Sequence, residues 1–153
     1  VRNLGVSNFQ IAQIELLEKL GLAPVTVNQI QYNPWAPEWQ QAVVDDCQRK
    51  GIVVTAWSPF QGTMMQHASM FTVESLQEVA RTRGKTVAQV LLRWALEKGV
   101  VVIPGTSNPA HMEENLAVHS FTLSHEEMAI IDGVRSDPKA KGFVAMGFEK
   151  NES

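Results

Sequence analysis

The feature that most constrains this chain is an alternation between two hydrophobic periods. Ile52 to Trp57 reads IVVTAW, a continuous apolar run of the kind expected for a strand buried on both faces. Val100 to Ile103 is a second such run. Val25 to Ile30 is β-branched, and Leu4-Gly5-Val6 is a short apolar run ended by Ser7-Asn8. Between these runs the spacing turns helical. Ile11, Ile14, Leu17 and Leu20 share a stripe ahead of Gly21. Glu38 to Lys50 follows Pro37 and stops at Gly51, and Val73 to Arg83 is closed by Gly84. Thr86-Val87-Ala88-Gln89 has the form of a capping box, and Val87, Val90, Leu91, Trp94 and Ala95 make the helical stripe behind it. Asn108-Pro109 predicts an N-cap and first helical residue for a short helix to about Leu116. Ser124-His125-Glu126-Glu127 is a second capping box, opening a helix to about Arg135.

The resulting order is β-α-β-α-β-loop-α-α-β-α-α. Strands alternating with crossover helices predict an α/β fold with a parallel sheet of right-handed units. About four strands suit either a small doubly wound sheet or half of an eight-stranded barrel. Residues 58–72 are expected to form a loop in which Gly62 supplies freedom, with Met64, Met65, His67 and Met70 as candidates to line an entrance, the alternative being that the methionines pack the loop itself. Residues from about 138 to 153 are expected to be a loose tail.

Composition narrows the function classes. With 44% hydrophobic and 19% charged residues among 153, the chain fits one globular domain or a piece of one. A net charge of −3 gives no sign of a strongly basic surface, so neither nucleic acid nor anionic lipid is expected as a partner. The single cysteine, Cys47, excludes an internal disulfide and gives no basis for a cysteine-rich metal site. It fits a reducing compartment, so a cytoplasmic location is expected. No apolar run approaches the ~18 residues of a membrane span, and the given N-terminus lacks a charged-then-apolar pattern, so neither a span nor a signal peptide is expected. The sequence begins at Val1 without a methionine, so a processed, trimmed or incomplete chain is expected.

Several isolated motifs fail on inspection. Gly84-Lys85-Thr86 resembles the end of a phosphate-binding loop, but Val79 stands where that loop needs glycine. Gly5-Val6-Ser7-Asn8-Phe9 has Phe9 in place of the closing glycine of a nucleophile elbow. His125-Glu126 lacks a second zinc-ligating histidine. His67, His111, His119 and His125 show no ligand spacing with Cys47. No GxGxxG follows a strand. Asn151-Glu152-Ser153 is a glycosylation sequon without a secretory context.

Five strings in register are far more specific. They are Gly5-Val6-Ser7-Asn8-Phe9; Asn28-Gln29-Ile30-Gln31-Tyr32-Asn33-Pro34; Gly51 to Pro59 (GIVVTAWSP); Thr86 to Trp94 (TVAQVLLRW); and Val102 to Pro109 (VIPGTSNP), followed by Glu114-Asn115. In this order and spacing the chain, over about residues 1 to 135, resembles the C-terminal half of an aldo-keto reductase. The resemblance implies the C-terminal half of a (β/α)8 TIM barrel, a partial NAD(P)-dependent oxidoreductase domain over 1–153. The motifs then sit at the C-terminal ends of the strands, where barrels of this kind place their active sites.

The resemblance also implies roles. Ser7, Asn8 and Gln29 match residues that hydrogen-bond the nicotinamide carboxamide, a group needing both a donor and an acceptor. The plain alternative is that Ser7 or Asn8 caps the following helix. Trp57 matches the aromatic that stacks on the nicotinamide, where the family more often has Tyr; the alternative is a core tryptophan. Ser58 and Phe60 match the loop at the pyrophosphate. Thr106, Ser107 and Asn108 match the loop around the adenosine phosphate, and Glu114 and Asn115 match adenine contacts. Gly105 stands where the family often has Lys, and His111 where it often has Arg. Those cations pair with the 2′-phosphate of NADPH, so either NADPH or NADH is expected as the cofactor. His111 at a helix N-terminus is a poor replacement charge.

The family's catalytic tetrad of Asp, Tyr, Lys and His comes from the N-terminal half. Tyr32, the one tyrosine, matches a different position, and Lys85 and His67 match none. No catalytic residue is therefore assigned. The leading expectation is part of a reductase acting on a small aldehyde or ketone. The alternatives are a non-catalytic nucleotide-binding or regulatory subunit, and an inactive gene fragment. Four strands would leave two open edges and an uncovered apolar face, so an N-terminal half-barrel or self-association is expected to complete the fold.

Overall fold

The computed structural model describes residues 1–60 and 70–136. The expected 58–72 loop therefore falls largely outside the described residues, as do Gly62, Met64, Met65, His67, the 138–153 tail and the Asn151 sequon. Four strands form one parallel sheet: β1 (Leu4–Ser7), β2 (Val25–Gln31), β3 (Val53–Trp57) and β4 (Val101–Val102), paired in sequence order. The helices are α1 (Ile11–Lys19), α2 (Glu38–Arg49), α3 (Glu74–Arg83), α4 (Val87–Glu97), α5 (Pro109–Leu116) and α6 (His125–Gly133).

Each boundary has a local cause. The Thr86 hydroxyl accepts from the Gln89 amide at 3.2 Å, and the Gln89 side chain accepts from the Thr86 amide at 3.0 Å. Ser124 and Glu127 make the same reciprocal pair at 3.3 and 2.7 Å. Asn108 Oδ1 accepts from the Ala110 amide at 3.0 Å, with Pro109 as first helical residue of α5. Gly84 ends α3 at φ 60°, a left-handed conformation that favours glycine. The last helix stops earlier than expected: α6 ends at Gly133 and tightens into a 3₁₀ turn, Val134–Ser136.

Because strand order follows chain order, right-handed crossovers carry every connecting helix to the same face. That excludes a doubly wound sheet, which covers both faces. On the helix side, Asn28, Ile30, Val54 and Ala56 are buried against Ile14, Val44, Cys47 and Val90. The other face carries the in-register row Ser7, Gln29, Thr55 and Val101, with Val27 and Val53 in the row below.

This corrects the expectation that both apolar runs are buried on two faces. Val53 is 47%, Val101 46% and Ile103 44% exposed, and β4 shortens to Val101–Val102. Side-chain type marks a position as apolar; it does not say which layer lies over it. Among the described residues no helix is long and apolar enough to cross a membrane, and no group of three or more His, Cys, Asp or Glu could hold a metal ion.

Candidate functional site

The C-terminal strand ends converge because all four strands run the same way. At the end of β1 the backbone turns sharply at Asn8, with φ 58°. Asn tolerates this left-handed conformation better than most residues. The turn is fixed from two sides. The Asn8 amide donates to the Gln29 carbonyl at 2.9 Å. Behind it, the wholly buried Asn28 side chain donates to the Phe9 carbonyl at 2.9 Å and accepts from the Phe9 amide at 3.4 Å.

The turn carries a hydrogen-bonded chain across three strand ends. Trp57 Nε1–H donates to Asn8 Oδ1 at 3.1 Å. Asn8 Nδ2 donates to Ser7 Oγ at 3.2 Å, and Ser7 Oγ donates to the Gln29 carbonyl at 3.2 Å. Neither Ser7 nor Asn8 caps α1; that helix opens at Gln10, whose amide donates to Gln13 Oε1 at 2.9 Å. The capping alternative therefore fails. Trp57 is half-buried at the strand end, not a core tryptophan. The Gln29 side chain lies on the open face in register with Ser7 and Thr55.

The backbone turns again at Ser58, with φ 48°. Asn33 Nδ2 donates to the Ser58 carbonyl at 3.2 Å, while Asn33 Oδ1 accepts from the Trp35 amide at 3.1 Å. Phe60 leans on Phe71 with ring centroids 6.0 Å apart. Asn28 and Asn33 are thus supports that the sequence reading did not single out. A signal for Asn28 was present: strand alternation sends Gln29 to the open face and Asn28 to the helix side, where a buried amide needs partners.

The loop after β4 neighbours the loop after β3, since Ile103 N donates to the Ala56 carbonyl at 3.2 Å. Within it, Thr106 Oγ1 accepts from the Asn108 amide at 3.1 Å and lies 3.4 Å from His111 Nδ1. Ser107, Asn108 and His111 are exposed. Residues 104–111 contain no Lys or Arg. Glu114 faces α4: its carboxylate accepts from the Thr86 hydroxyl at 3.3 Å and its carbonyl from Gln89 Nε2 at 3.0 Å. Asn115 is half-buried beside it.

Residues set aside by the sequence reading lie elsewhere. Tyr32 is buried, bonds Gln41 through its hydroxyl and stacks on Trp94. Burial, reinforced by the Asp132 charge, pushes its phenol well above the ordinary tyrosine range. Lys85 bonds Ser120 at 3.2 Å and sits over the Phe121 ring. Burial likewise raises the Cys47 thiol, which receives only a long 3.7 Å contact from Asn28 Nδ2.

The family model of the aldo/keto reductases matches residues 1–136. An aldo-keto reductase of a Mycobacterium species (strain KMS) is 38% identical over 149 residues, covering 94% of this chain and 51% of the relative. The glyoxal reductase of Bacillus subtilis is 37% identical, over 91% of this chain and 48% of its own. The aldose reductase of Giardia lamblia superimposes with a TM-score of 0.77 at 29% identity, over 86% of this chain and 44% of that one. A solved aldo-keto reductase complexed with NADPH gives a TM-score of 0.76 at 34% identity, over 84% and 40%. The chain spans about half the length of the curated relatives it matches, 51% and 48% of the two above. Its sheet corresponds to part of a (β/α)8 barrel.

Proposed function

The chain belongs to the aldo/keto reductase family, and on that premise we propose that it supplies the cofactor-binding half of an NAD(P)H-dependent reductase converting aldehydes or ketones to alcohols. The single observation that carries this reading is the bonded set Ser7–Asn8–Trp57 at the strand ends, with Gln29 beside it. A flat aromatic next to side-chain amides and a hydroxyl is the donor and acceptor set that a nicotinamide with its carboxamide needs. When bound, the dinucleotide supplies the hydride for carbonyl reduction.

This chain's residues would do the holding. Trp57 would offer its face to the nicotinamide ring, and Ser7, Asn8 and Gln29 would orient the carboxamide. Ser58 and Phe60 would flank the pyrophosphate. Thr106, Ser107, Asn108 and His111 would meet the ribose or its 2′-phosphate, and Glu114 and Asn115 the adenine. Without a cation in 104–111, NADH and NADPH are both suitable. We assign these roles within a domain spanning 1–153 and place the protein in the cytoplasm.

On this reading none of the residues described is assigned as the proton donor. Tyr32, the chain's one tyrosine, is locked in the core. That observation favours, as a second reading, nucleotide binding without turnover by this chain alone.

The open sheet face and the two edge strands at its margins, β1 and β4, bear on partners. Val53, Val101 and Ile103 are exposed on the face. Leu16 and Leu20 in and just after α1, Leu22 beyond them, and Met112 and Leu116 on α5 are also exposed. We propose that four further strands, from an N-terminal half-barrel or from a second copy, cover these surfaces. Sedimentation should then show self-association of the isolated chain; a sharply melting monomer would count against it.

Calorimetric titration tests the cofactor reading. Saturable binding of NADPH or NADH, competed by one another, supports it. Absence of binding by either overturns it.

A further inference from the structure

We propose that Asn8, besides its place at the carboxamide, is a positioning residue for Trp57: its side-chain oxygen holds the indole N–H and so sets the ring against the cofactor. The inference rests on the reading of this site as a nicotinamide dinucleotide site.

The orientation of the Asn8 amide follows from its neighbours. An indole N–H is a donor only, so the atom 3.1 Å from Trp57 Nε1 must be an oxygen. That places Nδ2 against Ser7 Oγ at 3.2 Å. Ser7 Oγ can accept there because its own proton goes to the Gln29 carbonyl. Every donor in the chain has an acceptor, and reversing the amide would set N–H against N–H.

The lock is built, not incidental. The left-handed backbone at Asn8 aims its side chain, and the buried Asn28 amide holds both the N–H and the carbonyl of the next residue, Phe9. A phenylalanine or tyrosine at position 57 would offer no ring N–H, so the contact is specific to tryptophan. With Oδ1 engaged, Asn8 retains one Nδ2 hydrogen for a ligand, and the unengaged Gln29 side chain becomes the natural amide acceptor of the site. Without Asn8, the Trp57 ring loses one of its restraints, and ordering it in the bound state costs more.

The test is a double-mutant cycle on the full chain with Asn8→Gly and Trp57→Phe. Glycine keeps the left-handed turn, and phenylalanine keeps a flat face. Each single variant should weaken NADPH binding about tenfold. The double variant should lose clearly less than the product of the two single losses. Adenosine 2′,5′-bisphosphate, which lacks the nicotinamide, should bind all four proteins equally. Losses that multiply in full would overturn the proposal, because the effect of Asn8 would then not pass through Trp57 at all. A second readout needs no ligand. The Trp57 indole N–H resonance should shift and exchange faster with water in Asn8→Gly; an unchanged resonance would contradict the lock. If the unaltered chain fails to bind NADPH, the cofactor reading falls, while the indole resonance still decides whether Asn8 holds Trp57.

Discussion

Tyr32 and Trp94 stack with ring centroids 5.2 Å apart and planes inclined by 20°, at the boundary between β2 and α4. The pair is held at both ends. The Tyr32 hydroxyl donates to Gln41 on α2, and Trp94 Nε1 donates to Asp132 on α6 at 2.8 Å. One stacked pair therefore ties a strand to three helices, and it buries the chain's one tyrosine in the core. Its hydroxyl is a structural donor, and its ring is core.

Tyrosinate absorbance should expose this directly, since no other tyrosine contributes. Burial raises the Tyr32 pKa above its ordinary 10.0. A group with a raised folded-state pKa adds stability below its unfolded pKa and loses it as pH climbs toward the folded one. The folded chain should show no phenolate band at pH 11, and the band should appear with alkaline unfolding. Ionisation at pH 10 without unfolding would contradict the packing. Tyr32→Phe should cost about 1 kcal/mol by chemical denaturation, because Gln41 remains accessible to water.

Acid stability should depend on Glu127. Its carboxylate takes a two-pronged bond from Arg83, at 2.6 Å to each oxygen, and accepts from the Ser124 amide. The Arg83 bond is the foremost cause of a pKa below the ordinary 4.5. The stabilisation is thus complete above pH 4.5 and fades as pH falls below it. Thermal melts should show Glu127→Gln losing Tm at pH 7 and the gap to the unaltered chain narrowing toward pH 3. A constant gap would mean that the pair adds nothing.

Gly84 offers a backbone test. A Cβ there meets nothing within 4 Å, so only the left-handed φ of 60° opposes substitution. Gly84→Ala should cost about 1 kcal/mol in urea unfolding and leave ligand affinities unchanged. A neutral effect would show that the α3 terminus relaxes freely.

Cofactor preference should respond to charge restored in the 104–111 loop. Gly105 has open space at its Cβ position and an ordinary backbone. Gly105→Lys should tighten NADPH binding roughly tenfold while leaving NADH within about twofold, since only the former carries the 2′-phosphate. Equal changes for both would place the adenosine end elsewhere.

Much of this architecture was legible because local signals agreed. The Thr86 and Ser124 capping boxes, Asn108-Pro109 and Gly84 all mark helix ends where the helices begin or stop. The parallel class followed from alternating strands and helices. What stayed hidden is what depends on layers and on distance along the chain. Nothing local in IVVTAW tells that Val53 faces outward while Val54 is buried. The Trp57–Asn8 bond joins residues 49 positions apart, and only the β1–β2–β3 register brings them together. Asn28 and Asn33 read as members of a motif, yet their work is to brace the turns at Asn8 and Ser58.

Hydrogen exchange with and without NADPH would test the central claim most directly. The account predicts slowed exchange confined to the strand ends and following loops, residues 6–9, 29–33, 57–60 and 104–116, with the opposite end of the sheet near Leu22 and Pro24 unchanged. Protection centred on that opposite end, or no protection at saturating NADPH, would contradict a nicotinamide dinucleotide site at Ser7, Asn8, Gln29 and Trp57.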